Sequence, residues 1–236
     1  VDLVDAAAAN DVILQVGYQR HFHPAFREIR RVITDGRLGA LHTANAYLGQ
    51  NWIDLHRDAW RTDPSLSGGG QLYDPGSHLL DALLWTTDAE PSSVTAFVEF
   101  AEPKIDVNSA ISLELEAPDG SMVASLGLTG DGIEVDPHEG YVYWGDAGRL
   151  SYDGDALTIA ETDAPTYTTQ VEGGTDFETL NRRKIENFAA AIDGTADPAV
   201  PGEVGVAVTA LTEAIYDAAE TSAPVDVQPL IDRTRE

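Results

Sequence analysis

Cysteine is absent from the 236-residue sequence, and lysine occurs only at Lys104 and Lys184. Without cysteine the protein can form no disulfide and no thiol nucleophile, and a structural zinc site lacks its usual sulfur ligands. Long apolar runs are also missing, because none approaches the roughly 18 residues of a membrane-spanning helix. The opening residues, VDLVDAAAAND, have neither the basic start nor the cleavage pattern of a signal peptide. We therefore expect a folded globular protein with no membrane partner.

Basic residues are few, since 14 lysines and arginines face 40 aspartates and glutamates and the formal net charge is −26. A surface of this charge repels nucleic acid and anionic membranes, so we expect neither as a partner. The acidic residues are spread along the whole chain rather than gathered in a tail. We interpret them as an adaptation to a high-salt cytoplasm, where screening relieves their mutual repulsion. An ordinary acidic protein is the alternative.

The first part of the sequence has the pattern of a parallel α/β unit. Residues 1–10 indicate a helix, and the apolar run VILQVG at 12–17 indicates a buried strand. The next helix ends at Gly36 and carries apolar residues at helical spacing, namely Phe22, Phe26, Ile29 and Ile33. This opening resembles the last helix and strand of a doubly wound domain. Because the chain starts at Val1 inside an alanine-rich helix, we expect upstream residues to be missing.

The rest of the sequence predicts an α+β fold with a large, open and mostly antiparallel sheet. Alternation begins at LHTANAYLG and continues in strand-like runs at 93–100, 107–117, 121–129, 133–137 and 141–145. Two closing helices are expected to cover one face of the sheet. The first, at 176–193, is predicted to turn inward Phe177, Leu180, Ile185, Phe188 and Ile192. The second, at 203–221, is predicted to turn inward Val204, Val208, Leu211 and Ile215. Residues 153–176 are expected to form a loop.

The segment WRTDPSLSGGGQLYDPGSHLLDALLW, residues 60–85, is the most informative for chemistry. Asp74, His78 and Asp81 follow each other at spacings of four and three, so they would share one face of a helix whose leucines point mostly the other way. A carboxylate beside an imidazole can transfer protons near neutral pH. Structural alternatives are open. Asp74 before Pro75 has the pattern of a helix N-cap, His78 of a surface or core residue, and Asp81 of a buried hydrogen-bond partner or a solvated residue.

The string GGGQLYDPGSHLLDALLW is similar to the GGGxLxDxGxHxxD signature of the glucose-fructose oxidoreductase, inositol dehydrogenase and MocA family. VGYQRHFHPAFREIRRVITDGRLG resembles the family segment that joins its Rossmann domain to its sheet domain. NFAAAIDGTADPAVPGEVGVAVTALTEAIYDAAE resembles the closing helices. The resemblance covers nearly the whole chain. It implies that 1–20 is the end of a Rossmann domain and 21–236 a domain for substrate binding and oligomerisation. Combined with the acidic composition, it indicates a haloarchaeal member.

The resemblance implies a cytoplasmic dehydrogenase that acts on a CH–OH group of a sugar or polyol, with NAD or NADP as cofactor. His78 maps onto the family's usual proton acceptor, and Asp74 onto a residue that helps to hold substrate hydroxyls. The GxGxxG turn and the lysine of the EKP motif do not occur in the chain. We therefore expect activity only together with an upstream nucleotide-binding domain.

Four further residues map onto family positions at the site. Tyr18 and Arg20 correspond to positions near the nicotinamide and the substrate, so both are candidates for cofactor and substrate binding. Trp60 and Arg61 match a recurring WR dipeptide before the glycines. There they are candidates for substrate binding, as an aromatic wall or as a structural clamp.

The same residues and the same fold are compatible with other functions. A metal-dependent hydrolase would need more ligands beside Asp74 and His78, and His21, His23 and His56 have no fixed relation to the motif, so we expect no metal. The family fold is also compatible with a non-catalytic sugar sensor and with glycoside cleavage assisted by bound NAD. Because the family sheet commonly pairs face to face, we expect a homodimer or homotetramer with its contact on the strands from 93 to 145.

We predict that the protein becomes more stable as KCl rises from about 0.1 M into the molar range, where the screening length shrinks to about 3 Å. Screening weakens the repulsion among the acidic side chains, so the folded state gains relative to the unfolded one. The melting temperature followed by circular dichroism measures the effect. A melting temperature that is flat or falls across this range would contradict the high-salt interpretation.

Overall fold

A single open sheet of nine strands organises the molecule, and the computed structural model describes residues 1–101, 105–133 and 136–232. Its strands are β1 (Leu41–Gly49), β2 (Glu90–Ala101), β3 (Ile105–Ala117), β4 (Gly120–Thr129), β5 (His138–Gly145), β6 (Gly148–Tyr152), β7 (Ala156–Glu161), β8 (Tyr167–Gln170) and β9 (Val225–Asp226). Its α-helices are α1 (Asp2–Ala9), α2 (Pro24–Thr34), α3 (Trp52–Leu55), α4 (Pro64–Ser67), α5 (Ser77–Thr87), α6 (Phe177–Ile192), α7 (Gly202–Thr221) and α8 (Gln228–Asp232). Short 3₁₀ turns lie at Gln19–Phe22 and Trp60–Thr62, and a π-helix lies at Leu72–Gly76.

The strands lie in the order β8-β7-β6-β5-β1-β4-β3-β2-β9. β1 pairs in parallel with β4, with Thr43 opposite Val123, and the other strand pairs are antiparallel. Alternate residues of the strands are buried against α2, α5 and α7, and the remaining ones face outward, as on a sheet with one covered face. The predicted open, mostly antiparallel sheet with helices on one face is confirmed.

The predicted strand at 12–17 is wrong. This segment is extended and half-buried, but its strand-like pairing is one isolated antiparallel bridge between Gln15 and Pro201, beside a hydrogen bond from the Val16 amide to the Val200 carbonyl. An apolar run alone does not make a strand, because a ladder needs a neighbouring strand to accept its hydrogen bonds. The helix predicted at 1–10 is present as α1.

Two more predictions concern the second half of the sheet. The loop expected at 153–176 contains β7 and β8, whose threonines and alanines carry little apolar signal although they pair regularly with their neighbours. The strand expected at 133–137 includes residues 134–135, which lie outside the described residues, and Ile133 and the residues at 136–137 are not in a strand.

The closing helices are present, but the inward face predicted for α6 is wrong. Leu180 is buried, whereas four of the predicted inward residues are exposed, namely Phe177, Ile185, Phe188 and Ile192. The face that packs carries polar groups instead. Arg183 donates to the carbonyl oxygens of Phe22 and Gly174, and Asn187 bonds the backbone of the loop before α7. Apolar periodicity therefore identified the helix but not its buried side.

The predicted stripe on α7 is confirmed, since Val208, Leu211 and Ile215 are buried and Val204 packs against the same core. Within the described part of the chain, no helix is long and apolar enough to cross a membrane.

We predict that Ile185→Gln changes the free energy of unfolding by less than about 0.5 kcal/mol, because this side chain is already in water. The matched change Leu211→Ala removes a fully buried side chain and should cost about 2–5 kcal/mol. Urea denaturation of both variants measures the difference. If Ile185→Gln were as costly as Leu211→Ala, the exposed stripe of α6 would have to be covered in solution.

Candidate active site

The glycine loop before α5 is held by one buried carboxylate. Asp106, at the start of β3, is fully buried. Its side chain accepts hydrogen bonds from the backbone amides of Gly70 and Leu72, at 2.5 and 2.6 Å, and from the Tyr216 hydroxyl at 2.5 Å. The Gln71 amide donates to the backbone carbonyl of Asp106. Asp106 therefore ties the loop to the sheet and, through Tyr216, to α7.

Glycine is required in this loop for two different reasons. Gly68 has a φ of +79°, which disfavours other residues. At Gly70 a Cβ atom would lie 2.4 Å from the Asp106 carbonyl oxygen and 2.4 Å from Cγ2 of Ile105. A side chain at this position would push the loop off β3. The glycine triplet thus sets the position of the helix that follows.

The turn that carries Asp74 is a π-helix rather than the first turn of an α-helix. Pro75 has no N–H to donate to the Gln71 carbonyl, and this bond is made by the next amide, from Gly76, at 2.9 Å. The N-cap role considered for Asp74 is wrong, because its carboxylate accepts from side chains and the helical chain begins before it. Pro75 thereby inserts one extra residue into the turn, which alters where Asp74 points.

The Asp74 carboxylate is anchored on one oxygen. Its Oδ2 accepts from the indole N–H of Trp52 and from Nε of Arg61, each at 2.9 Å, and Nε2 of His56 lies 3.9 Å away. No donor among the described residues bonds Oδ1, and the side chain is 38% exposed. One oxygen is thus fixed by the protein while the other can accept a hydrogen bond from a ligand.

Trp60 and Arg61 form a small open hollow with Asp74. The guanidinium carbon of Arg61 lies 4.7 Å from the centre of the Trp60 ring, so the cation stacks on one face of the indole. Trp60 is 56% exposed. The hollow measures about 120 Å³ and is closed below by Trp52 and the glycine loop. Arg61 therefore has the geometry of a clamp on Asp74, and Trp60 that of an exposed wall.

His78 lies one helical turn after Asp74 and faces a different group of residues. Its Nδ1 is buried without a hydrogen-bond partner among the described residues. The Tyr18 ring packs edge-on against the imidazole with 5.1 Å between ring centres. Burial, followed by the positive charges of Arg20 and Lys184, lowers the pKa of His78 from 6.5 to about 3. The imidazole is therefore neutral at neutral pH.

The other two residues predicted beside the cofactor are already engaged by the protein. Arg20 donates to both carboxylate oxygens of Glu139 on β5, with Nη2 to Oε2 at 2.7 Å and Nε to Oε1 at 3.2 Å. Tyr18 is buried, and burial raises its pKa to about 12, so its hydroxyl stays protonated. Both residues border His78, and Arg20 has its charge matched by Glu139.

The predicted common face of Asp74, His78 and Asp81 is wrong for Asp81, which turns into the core. Its Oδ1 lies 3.0 Å from Nε2 of His21, whose Nδ1 lies 3.1 Å from the Ala199 carbonyl oxygen. The Trp85 ring stacks on His21 with 4.1 Å between ring centres. Burial raises the pKa of Asp81. Asp81 therefore has the buried hydrogen-bonding role that was one of its two interpretations.

The predicted residues thus fall into two adjoining clusters, one around Asp74 and one around His78. The sequence reasoning missed Asp106 and Trp52, which position the first cluster, and Lys184, which acts on the second. For Asp106 the only sequence signal is an acid between isoleucine and valine in a strand pattern. For Trp52 there is no signal beyond its residue type.

The residues present fit one end of a nicotinamide cofactor. Nδ1 of His78 has no partner among the described residues, and Gly17, which ends the extended segment, has no side chain to obstruct a ligand. A glycine-rich turn between a strand and a helix, which binds a pyrophosphate, does not occur in the sequence. Over the described ranges, no three His, Asp or Glu side chains come together as metal ligands.

Comparison with known proteins gives related sequences along most of the chain. Residues 26–130 match the sequence model of the GFO/IDH/MocA C-terminal domain. A D-xylose 1-dehydrogenase [NADP(+)] from Haloarcula marismortui is 26% identical over 94% of this chain and 62% of its own length. The rhizopine catabolism protein MocA of Rhizobium meliloti is 31% identical over 52% of this chain and 38% of its own. The chain thus spans about three fifths or less of these curated relatives.

A solved structure supports the same fold. The aldose-aldose oxidoreductase from Caulobacter crescentus, crystallised with glycerol, superposes with a TM-score of 0.80 at 23% identity. The match covers 94% of this chain and 66% of that one. At this identity the likeness concerns the fold.

We predict that Asp106→Asn lowers the free energy of unfolding by about 1–3 kcal/mol, because an amide offers one acceptor oxygen where the carboxylate receives three hydrogen bonds. The control is Asp119→Asn in the exposed turn between β3 and β4, which should change stability by less than about 0.5 kcal/mol. Urea denaturation compares the two variants. Equal effects would mean that the Asp106 bonds add nothing to stability.

Proposed function

We propose that this chain, which belongs to the Gfo/Idh/MocA family of oxidoreductases, forms the substrate-binding part of an enzyme that oxidises a CH–OH group of a sugar or polyol with NAD or NADP. The observation that carries the proposal is the buried, unpartnered Nδ1 of His78 one helical turn from the open Oδ1 of Asp74. The name of the Haloarcula relative, a D-xylose 1-dehydrogenase with NADP(+), supports the substrate class. The acidic composition fits a high-salt cytoplasm as its place of action.

In the proposed reaction, the substrate lies across the two clusters. Oδ1 of Asp74 accepts a hydrogen bond from a substrate hydroxyl, while Trp52 and Arg61 hold the other oxygen and so keep the carboxylate in place. Trp60 covers one side of the sugar ring with its exposed face. These contacts orient the carbinol carbon, which is the contribution of the protein to a cofactor-dependent redox step.

His78 takes the hydroxyl proton. Its imidazole is neutral, so Nδ1 can accept the proton as the C–H hydride leaves the carbinol carbon and the C=O bond forms. Bound NAD(P) would supply the hydride acceptor. The cations Arg20 and Lys184 stabilise the negative charge that develops on the substrate oxygen, although they also weaken His78 as a base.

Assembly belongs to the same proposal. The outward face of the sheet exposes large side chains that alternate with small polar ones, namely Tyr47, Phe97, Val123 and Trp144. We propose that two copies pair through this face, in a homodimer or homotetramer, as was expected for the strands between 93 and 145. Sedimentation equilibrium of the wild type and of Phe97→Asp tests this assembly.

The rival functions predict different products, or no product at all. A non-catalytic sensor would bind sugar without turnover, a glycosidase assisted by NAD would release a free sugar, and a metal-dependent hydrolase would lose activity with chelator. No contact in the described residues favours these rivals over a dehydrogenase. Analysis of the products formed with NAD or NADP separates them.

We predict that, in the complete gene product, His78→Ala lowers kcat by about 10²–10⁴-fold, the usual contribution of general acid-base catalysis. NAD(P)H binding, followed by fluorescence, should hardly change. Asp74→Asn should raise KM more than it lowers kcat, because it weakens the alignment of the substrate hydroxyl. Near-normal turnover of His78→Ala with an unchanged pH profile would remove His78 from the reaction.

The pKa of His78 also gives a test without turnover. Since burial lowers its pKa in the folded protein, the neutral form is favoured by folding, and its contribution to stability is lost as pH falls from 6.5 toward 3. The His78 ring signals in NMR, assigned with His78→Asn, should therefore stay constant between pH 8 and 5. In urea the same signals should titrate near 6.5.

A further inference from the structure

Lys184 presents a cation without a counter-ion beside the candidate active site. Its side chain is half-buried on α6, and its ammonium lies 3.6 Å from where a Cβ of Gly17 would be. The neighbouring cations on α6 are engaged, since Arg182 pairs with Glu186 and Arg183 donates to two carbonyl oxygens. No carboxylate among the described residues pairs with the Lys184 ammonium. The chain has 40 acidic residues, yet none of those described pairs with this half-buried ammonium. A half-buried charge without a counter-ion is unfavourable, so we expect the ammonium to bind an anion.

Two buried acceptors without partners belong to residues around Lys184 and Gly17. Oε1 of Gln15 has no partner among the described residues, and the Gln15 amide is held against α6 by a bond of 3.3 Å to the Lys184 carbonyl oxygen. Nδ1 of His78 is the second. The His78 ring packs against Tyr18, which directly follows Gly17, and the Lys184 ammonium lies beside Gly17. A buried polar group that is left without a partner destabilises the folded protein. A ligand with hydroxyls and a negative group would satisfy all three positions.

Charge balance around His78 favours the same ligand. Among the groups that face the imidazole, Arg20 has its charge matched by Glu139, and Tyr18 is uncharged. Asp81, on the same helix, is turned toward His21. The Lys184 charge is unmatched and lowers the pKa of His78. An anion at Lys184 would offset this charge and let the imidazole accept a proton more readily.

We propose that the Lys184 ammonium binds a carboxylate of the substrate, so that the enzyme prefers sugar acids such as uronic acids over the corresponding neutral sugars. The inference rests on the proposed function for the reaction itself and adds the substrate class. The carboxylate bonds Lys184, the hydroxyls bond Asp74 and Gln15, and the reacting hydroxyl bonds Nδ1 of His78. The charge-assisted bond is the strongest of these contacts and sets the preference.

The test uses the complete gene product and two matched pairs of sugars, D-glucuronate with D-glucose and D-galacturonate with D-galactose. In each pair the members differ by a carboxylate in place of a hydroxymethyl group. For at least one pair, we expect the wild type to have a kcat/KM about tenfold or more higher for the acid, the equivalent of about 1.4 kcal/mol. Lys184→Met should remove this preference, because kcat/KM for the acid should fall by about tenfold or more beyond any change for the neutral sugar. Lys184→Arg should restore part of it.

Two controls separate binding from stability and from the reaction. Arg182→Met removes an exposed cation two residues away and should leave the preference intact. Calorimetry should give a dissociation constant for the acid that is at least tenfold weaker in Lys184→Met, and NMR should show the pKa of His78 rising when the acid is added to the wild type.

The outcomes for the two proposals differ. Oxidation of neutral sugars at least as efficient as that of the acids, or an equal loss on both in Lys184→Met, would overturn the anion site and leave the dehydrogenase standing. Absence of NAD(P) reduction with any sugar would overturn the proposed function. In that case the anion site is decided by calorimetry alone: tight, Lys184-dependent binding of the acid supports it, and binding equal to that of the neutral sugar overturns it.

Discussion

The hydrogen bonds received by Asp106 are the constraint on which the candidate site depends. They fix the glycine loop against β3, and the loop sets where the π-helix begins. A short polar turn has too few contacts of its own to hold the Asp74 carboxylate still, so a buried acceptor with three donors is a strong anchor. Tyr216 extends this anchor to α7, which packs against β2. The position of the Asp74 side chain thus depends on Asp106, which lies on β3 rather than in the same turn.

The two clusters of the site are held in opposite electrostatic conditions. The negative charge of Asp74 is balanced by Arg61, which bonds one carboxylate oxygen and leaves the other oxygen open. His78 is buried and lies close to two cations, Arg20 and Lys184. Both conditions lower the pKa of the imidazole, which is therefore neutral and a weak base. A weak base suits a reaction in which the proton is released together with charge on the substrate, since the same cations that weaken the imidazole stabilise the developing oxyanion. In the proposed reaction, the two cations beside His78 would therefore favour a ligand or a transition state that carries negative charge.

Local spacing placed Asp74 and His78 in one helical segment, but it did not identify the residues that support them. Asp74 and His78 are four residues apart in a helical pattern, so their common element could be read from the sequence. Asp106 lies far along the chain from the amides it binds, and no periodic signal links such groups. Pro75 looked like the first residue of a helix, yet it produced a π-turn because the helix had already started. On α6 the buried face is polar at Asn187, which an apolar pattern assigns to solvent. The errors therefore occur where side chains bond distant backbone groups.

The central position of β1 has a consequence for how the chain folds. β2, β3 and β4 form one run of neighbouring antiparallel strands, and β5 to β8 form another, so each can assemble from contacts that are close in sequence. The two runs do not pair with each other directly; β1 lies between them, parallel to β4 and antiparallel to β5. Such long-range parallel pairing forms slowly, because chain entropy is lost before the contacts are gained. Asp106 belongs to the first run and Glu139 to the second. The strand that joins the two runs therefore also brings together Asp106, which holds the glycine loop, and Glu139, which holds Arg20. We expect the sheet and the candidate site to be completed by the same pairing step.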